Sequence, residues 1–290
     1  MHNINYTIQE NDKTVKSILT ENLSFSGRLS RRLERKGKIF LNGNPVKLNK
    51  ALFAGDELVV EFDEEEDQYK AVDIPIDIVY EDNNFLIINK EPFIVVHPTR
   101  SHQDNTLANG VAYYFKKKGI KRKVRFVNRL DMNTSGIVII AKNPHVHNQL
   151  SKQMRKNTVE KYYYALVEDI VEGSGTIDAP ITRLNEEDIV RVVHPSGKES
   201  ITHYKAEKTY NNITLVKLKL ITGRTHQIRV HMKHLGHPIL GDPLYGNESP
   251  LINRQALHSY EMKFKDPLSK EDIVVSCPMP DDMNNIIRGH

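Results

Sequence analysis

The sequence predicts an α+β protein in two parts, a small basic N-terminal unit and a larger domain. Three observations carry this. Short β-prone runs bounded by turn residues recur along the chain, as at Phe85–Asn89, Ile137–Ala141, Thr158–Val167 and Ile213–Leu220. Helical spacings stand between them: Leu107, Val111, Tyr114 and Phe115 mark Thr106–Lys117, and the cap pair Asn143-Pro144 opens a helix to about Lys156. The acidic run Glu61–Asp67 has no apolar periodicity and reads as a solvated linker. It divides the chain into residues 1–62, a linker over 63–74, and a main domain over 75–290.

Composition narrows the function classes. The 290 residues are 39% apolar and 27% charged, enough for a core, and the mean hydropathy is −0.51. No apolar run approaches the ~20 residues a membrane span needs. The first residues lack a basic stretch followed by an apolar one, so no secretory signal is expected. The single cysteine, Cys277, excludes an intramolecular disulfide framework and a multi-cysteine zinc site. A cytoplasmic location follows. The net charge of +4 permits a polyanionic partner without demanding one, so placement of charge matters more.

In the N-terminal unit Val15, Ile18 and Leu19 predict one helix and Leu29 and Leu33 a second, closed by Gly37. Ile39–Leu41 and Leu58–Val60 read as strands, with Asn42-Gly43 as a tight turn. Arg28, Arg31, Arg32 and Arg35 fall on one face of the second helix, and Lys36 and Lys38 extend the patch. Like charges stacked this way repel one another, whereas a phosphate backbone stabilises them. An ordinary solvated face is the alternative. The segment Gly27–Gly43, GRLSRRLERKGKIFLNG, resembles the ribosomal-protein-S-four-like RNA-binding domain.

In the main domain a hairpin is expected at Ile76–Tyr80 and Phe85–Asn89, then a strand at Ile94–Val96 broken by Pro92 and Pro98. Lys116–Lys118 and Lys121–Lys123 offer basic surface. Three tyrosines stand in a row in Thr158–Val167, and alternation sets Tyr163 on the opposite face from Tyr162 and Tyr164. Gly173–Gly175 reads as a turn. Further strands are expected near Val190–Val193, Ser200–Tyr210, Ala256–Phe264 and Ile273–Ser276, and a helix capped by Thr225 and ended by Gly236.

The most informative stretch is Arg129–Gly136, RLDMNTSG, a polar loop between Val124–Val127 and Ile137–Ala141. Loops on rigid scaffolds often carry function. This one offers Asp131 beside Arg129, with Thr134, Ser135 and Gly136 as turn-formers. Arg229, in the first turn of the Thr225 helix, is a candidate partner for Asp131. At ~4 Å and an effective dielectric of ~20 such a pair gains about 4 kcal/mol before desolvation, and it keeps the carboxylate ionised. His226, His231, His234 and His237 lack the intervening glutamate of a zincin helix, so no metal site is expected. No phosphate-binding glycine loop, dinucleotide fingerprint or nucleophile elbow is present.

Three motifs together specify a family. RLDMNTSG at Arg129–Gly136, VEKYYYALV at Val159–Val167 and LITGRTHQIRVHMKHLGHPILGDPLYG at Leu220–Gly246 resemble, in order and spacing, the RluA/RluD-type pseudouridine synthases. Ile76–Pro98 is similar too, and the resemblance covers about residues 74–280. It implies a mixed, largely antiparallel central sheet with a catalytic cleft, and cofactor-free isomerisation of uridine to pseudouridine within RNA. It implies Asp131 as essential carboxylate, Arg229 as its partner, Tyr163 against the uracil, Ile228 on the base's other face, and Arg129 in the stack left by the flipped nucleotide. Arg224 is a candidate phosphate contact. Lys161 is expected at the surface or a strand edge, and His97 and His226 are expected to be structural. Two departures stand out: Asn128 where the family often has histidine, and Phe93 where glycine often follows the Lys-Pro region. The expected substrate is large-subunit ribosomal RNA, with transfer RNA or a non-catalytic RNA-binding or ribosome-assembly role as alternatives. A monomer without an obligatory protein partner is expected.

Overall fold

The computed structural model describes residues 3–99, 101–185 and 187–289. The N-terminal unit comprises β1 (Ile4–Thr7), β2 (Lys13–Thr14), α1 (Val15–Ser17) continuing as a π-turn over Ile18–Asn22, α2 (Gly27–Arg35), β3 (Ile39–Leu41), β4 (Asn44–Pro45), β5 (Ala51–Leu52) and β6 (Glu57–Val60). A four-stranded antiparallel sheet, β1-β6-β3-β4, packs on the helices through Leu19, Leu33, Ile39 and Leu58. Asn42 and Gly43 take φ of 48° and 81°, the hairpin turn that Asn-Gly favours. Strand β1 has no counterpart among the sequence expectations. Ser26 Oγ caps α2 by accepting from the Leu29 amide at 3.2 Å.

The main domain follows as β7 (Asp77–Glu81), β8 (Phe85–Lys90), α3 (Leu107–Lys117), β9 (Arg125–Phe126), β10 (Ser135–Ala141), α4 (Pro144–Arg155), β11 (Glu160–Glu168), β12 (Ser174–Asp178), β13 (Ile181–Thr182), β14 (Val192–Val193), β15 (Ile201–Tyr210), β16 (Ile213–Leu220), α5 (Gln227–His234), β17 (Leu257–Lys265), β18 (Asp272–Ser276) and α6 (Asp281–Arg288). The central sheet runs β12-β15-β16-β11-β17-β10-β8-β7, with β18 beside β17 and β9 beside β10. All its pairings are antiparallel except β10 with β17, which run parallel over Ser135–Gly136 and His258–Ser259. This is the expected mixed, mostly antiparallel α+β sheet. No helix among the described residues is long and apolar enough to cross a membrane.

Several expectations need correction. Ile94–Val96 forms no strand; only Val95 makes an isolated bridge, to Thr106, in a short run confined between Pro92 and Pro98. Ser174 and Gly175 lie in β12, and only Gly173, with φ of 65°, keeps the turn geometry. Ser135 and Gly136 are the first residues of β10, not turn-formers. Gly136 has φ of 114°, and a Cβ there would stand 2.2 Å from the Ser259 carbonyl, so the parallel contact requires glycine. Helix α6 was not expected; Asp281 and Asp282 in its first turn complement its dipole.

The acidic segment is not a free solvated linker. Glu65 pairs with Arg125 at 2.6 Å, Glu64 with Lys121 at 3.0 Å, and Arg122 donates to the Phe62 carbonyl at 3.2 Å. Part of the basic surface expected at Lys121–Lys123 is thereby covered. Across the same junction Gln149 donates to the Ser24 carbonyl at 2.7 Å, and the Phe25 ring lies 4.0 Å from that of His145.

His145, at this junction, and His258, in the main core, are both buried, and burial pushes their imidazoles down to about 4. Between that value and the unfolded ~6.5 the unfolded chain binds more protons than the folded one. Stability should therefore be full above about pH 6.5 and decline as pH falls toward 4, by about 3 kcal/mol per histidine. Urea unfolding from pH 7 to 4 checks this: His145→Phe should flatten the profile, and an unchanged slope would exclude His145 as a contributor.

Candidate active site

Strand β10 delivers the polar loop to the edge of a cleft lined by Asp131, Tyr163, Ile228, Arg229, Arg129 and His226. The loop is tied down at consecutive residues. Thr134 donates its amide to the Asp131 carbonyl at 3.1 Å. Lys90, almost wholly buried, donates to the Met132 carbonyl at 2.9 Å and also to those of Glu91 and Ile94. Arg254 donates to the Asn133 carbonyl at 3.1 Å and grips Asp282 of α6 with two nitrogens. Burial, followed by the nearby Arg254 charge, pushes the Lys90 ammonium down to about 7.

Asn128 acts in the same scaffold. Its amide donates to the Ile137 carbonyl at 3.0 Å and its oxygen accepts from the Ile139 amide at 2.8 Å. The side chain thus substitutes for a ladder partner of β10. Phe93 has φ of 65°, the left-handed region that favours the glycine common at this position.

Helix α5 supplies the cationic side. Arg229 Nη1 donates to Asp131 Oδ2 at 3.2 Å. Its Nε and Nη2 donate to the two oxygens of Asp242, each at 2.7 Å. Asp242 has no exposure, and its Oδ1 also accepts the amides of Leu244 and Tyr245. The guanidinium lies 4.9 Å from the centre of the Tyr245 ring. Burial would lower the Arg229 pKa, but the hydrogen bonds and charge of Asp242, joined by Asp131, outweigh it and hold it above its ordinary value.

Thr225 does not cap α5. His226 precedes the helix in the left-handed region, φ 58°, and Thr225 Oγ1 instead accepts from Arg129 at 3.0 Å. Tyr245 Oη accepts the Arg191 amide and is hydrogen-bonded to His226 Nδ1 at 2.8 Å. His226 Nε2 stands 3.8 Å from Asp131 Oδ2. Burial lowers the His226 pKa despite Asp131, so the ring is neutral near pH 7. Tyr163 is buried on β11, and burial raises its phenol to about 12, with Ser259 opposing and Asp131 adding. The cleft therefore holds a partly exposed carboxylate fixed against a guanidinium, a protonated phenol, and the aliphatic Ile228.

A family model for RNA pseudouridylate synthase matches residues 84–234. The chain belongs to that family. It is an isomerase, and the motif resemblance extends along the chain. A Bacillus subtilis (strain 168) protein described as an uncharacterized RNA pseudouridine synthase, YjbO, is 41% identical over 87% of this chain and 90% of its own. The ribosomal large subunit pseudouridine synthase D of Vibrio cholerae is 33% identical over 95% of this chain and 89% of its own. The solved structure of human RNA pseudouridylate synthase domain containing 1 aligns with a TM-score of 0.62 at 28% identity, covering 73% of this chain and 87% of that one.

In this pseudouridine synthase the cleft brings together Asp131, Arg229, Tyr163, Ile228, Arg129 and, at its mouth, Arg224. Arg28, Arg31, Arg32 and Arg35 lie exposed on α2 and are not among the residues lining the cleft, while Lys36 is paired with Asp63. Lys161 is not a surface charge: it is 7% exposed and lines the cleft. Its signal was present, since it shares the alternating face of Tyr163. Asp242, inside the third motif, reads in the sequence as a turn residue supporting the cleft; its pairing with Arg229 appears only through the fold. The clustered histidines are directed apart: His231 contacts Thr202 and the Ala179 carbonyl, and His237 contacts the Glu168 carbonyl.

Removing the charge of Asp242 would leave Arg229 buried and turned fully toward Asp131. Asp242→Asn should cut kcat by roughly tenfold or more with KM changed by less than about threefold, since one partner of a buried pair is lost. Steady-state kinetics decide this, and an unchanged kcat would show that Arg229 holds its place without Asp242.

Proposed function

We propose that this enzyme forms pseudouridine at a specific site in large-subunit ribosomal RNA in the cytoplasm, with Asp131 as the essential carboxylate. The observation that carries the reading is the Asp131–Arg229 contact at 3.2 Å, facing Tyr163 and Ile228. The pseudouridine synthase D of Vibrio cholerae, by its name, acts on the large ribosomal subunit. In the reaction the bond from uracil N1 to sugar C1′ breaks, the base turns, C5 bonds to C1′, the C5 proton leaves to solvent and N1 takes up a proton in its place. Asp131 acts on the sugar, Arg229 holds it in place at 3.2 Å, and the walls of the cleft limit competing water. Tyr163 and Ile228 sandwich the base, while Arg129 enters the stack that the nucleotide leaves. Flipping costs a few kcal/mol, and an aromatic stack returns ~1–3 kcal/mol.

Asp131→Asn should abolish tritium release from [5-³H]uridine-labelled ribosomal RNA while leaving RNA binding within about threefold; retained release would sink the mechanism. Transfer RNA serves as the competing substrate in the same assay. The α2 arginines form the second RNA contact. Replacing Arg28, Arg31, Arg32 and Arg35 with glutamine should weaken binding and flatten its salt dependence by roughly 0.7–0.9 in slope per lost phosphate contact. An unchanged slope would make α2 a solvated face.

A further inference from the structure

The face of β11 that carries Tyr163 also carries Lys161, about 6.7 Å away along the strand. Lys161 is 7% exposed. Its cross-strand neighbours are Leu220 on β16 and Met262 on β17, both apolar. The ammonium reaches under the Gly223 turn, where a methyl on residue 223 would lie 3.9 Å from Nζ. No carboxylate, carbonyl or hydroxyl among the described residues engages it. The charge nearest it in effect is another cation, Arg224.

The cleft around it, about 470 Å³, is lined by Arg129, Arg155, Lys161 and Arg224 against a single carboxylate, Asp131, which Arg229 already engages. Among the described residues Arg224 commits Nε alone, to the Glu199 carbonyl at 3.0 Å, and its two terminal nitrogens have no acceptor there. A largely buried ammonium whose nearest charge in effect is a guanidinium, with no carboxylate engaging it among the described residues, is a costly arrangement. It becomes favourable when an anion sits between them.

We propose that Lys161 and Arg224 form a binding site for one RNA phosphodiester, the phosphate adjoining the nucleotide whose base enters the cleft at Tyr163. The spacing suits this: one strand step-pair separates Lys161 from Tyr163, comparable to the span between a base and its neighbouring backbone phosphate. The Gly223 turn lies over Nζ, where a Cβ would come only into ordinary contact at 3.9 Å. Burial, and then Arg224, lower the ammonium's pKa in the free protein, an effect that a phosphate would reverse. The site accounts for where the backbone lies while the base turns, and it assigns Lys161 a contact with substrate. It rests on the proposed reading of the Asp131 cleft.

The test uses the full-length protein, with Lys161→Gln, Lys161→Met and Lys161→Arg. Methionine keeps the packing between Leu220 and Met262, so it serves where glutamine impairs folding. Kinetics by tritium release from labelled large-subunit ribosomal RNA are measured beside RNA binding between 50 and 200 mM salt. Gln and Met should raise KM and Kd about tenfold with kcat within about threefold, and make the salt slope shallower by roughly 0.7–0.9, one phosphate. Arg should restore the slope. A tenfold loss of kcat with KM and slope unchanged would overturn the proposal in favour of a role in proton transfer or positioning. A slope unchanged in every variant would also overturn it. Should the wild-type protein release no tritium, the functional reading fails on its own, and the binding slopes still decide the Lys161 site.

Discussion

The buried ion pair between Arg229 and Asp242 is the constraint on which the cleft depends. Two charged groups are withdrawn from water there, and such a pair is favourable only when its remaining hydrogen-bonding capacity is filled. Here it is filled. Asp242 accepts two guanidinium nitrogens and the amides of Leu244 and Tyr245, and the guanidinium lies over the Tyr245 ring. One nitrogen remains, Nη1, and it meets Asp131. The geometry of the partly exposed carboxylate is thereby set by an interaction that solvent hardly reaches.

That contact can form because the sheet changes direction once. The one parallel pairing in the sheet, β10 with β17, places the loop preceding β10 one strand away from β11, with β17 between them. Gly136 permits the close approach, and Ser135 and His258 join across it at 3.0 Å. Lys90 and Arg254 then hold the loop's carbonyls from beneath. Arg254 binds α6 as well, so the C-terminal helix belongs to the support of the cleft.

Charge is distributed to match. The acidic segment neutralises Lys121 and Arg125 at the junction, whereas among the described residues the α2 arginines and the cations of the cleft pair with no carboxylate beyond Asp131 and Asp242. Pairing at the junction orients the N-terminal unit on the main domain. The unpaired cations mark the surfaces on which a polyanion gains contact without competing with internal partners.

Local chemistry alone determined much of this protein. Strand and helix periods, the Asn143-Pro144 and Asn42-Gly43 signals, and the alternation of Tyr163 depend on neighbours a few residues away, and they are legible for that reason. So was the RLDMNTSG loop with its lone carboxylate. Tertiary structure decided what depends on distant partners. Asp242, not a threonine cap, orders the start of α5; Ser135 and Gly136 become strand because β17 lies beside them; the acidic run folds onto basic residues nearly sixty positions away. Lys161 lies between these cases. Its face could be read from alternation, but that the face lines a cleft whose carboxylate, Asp131, is already engaged by Arg229 followed only when β16, β17 and the Gly223 turn closed around it, since burial of a charge is a property of the surrounding fold.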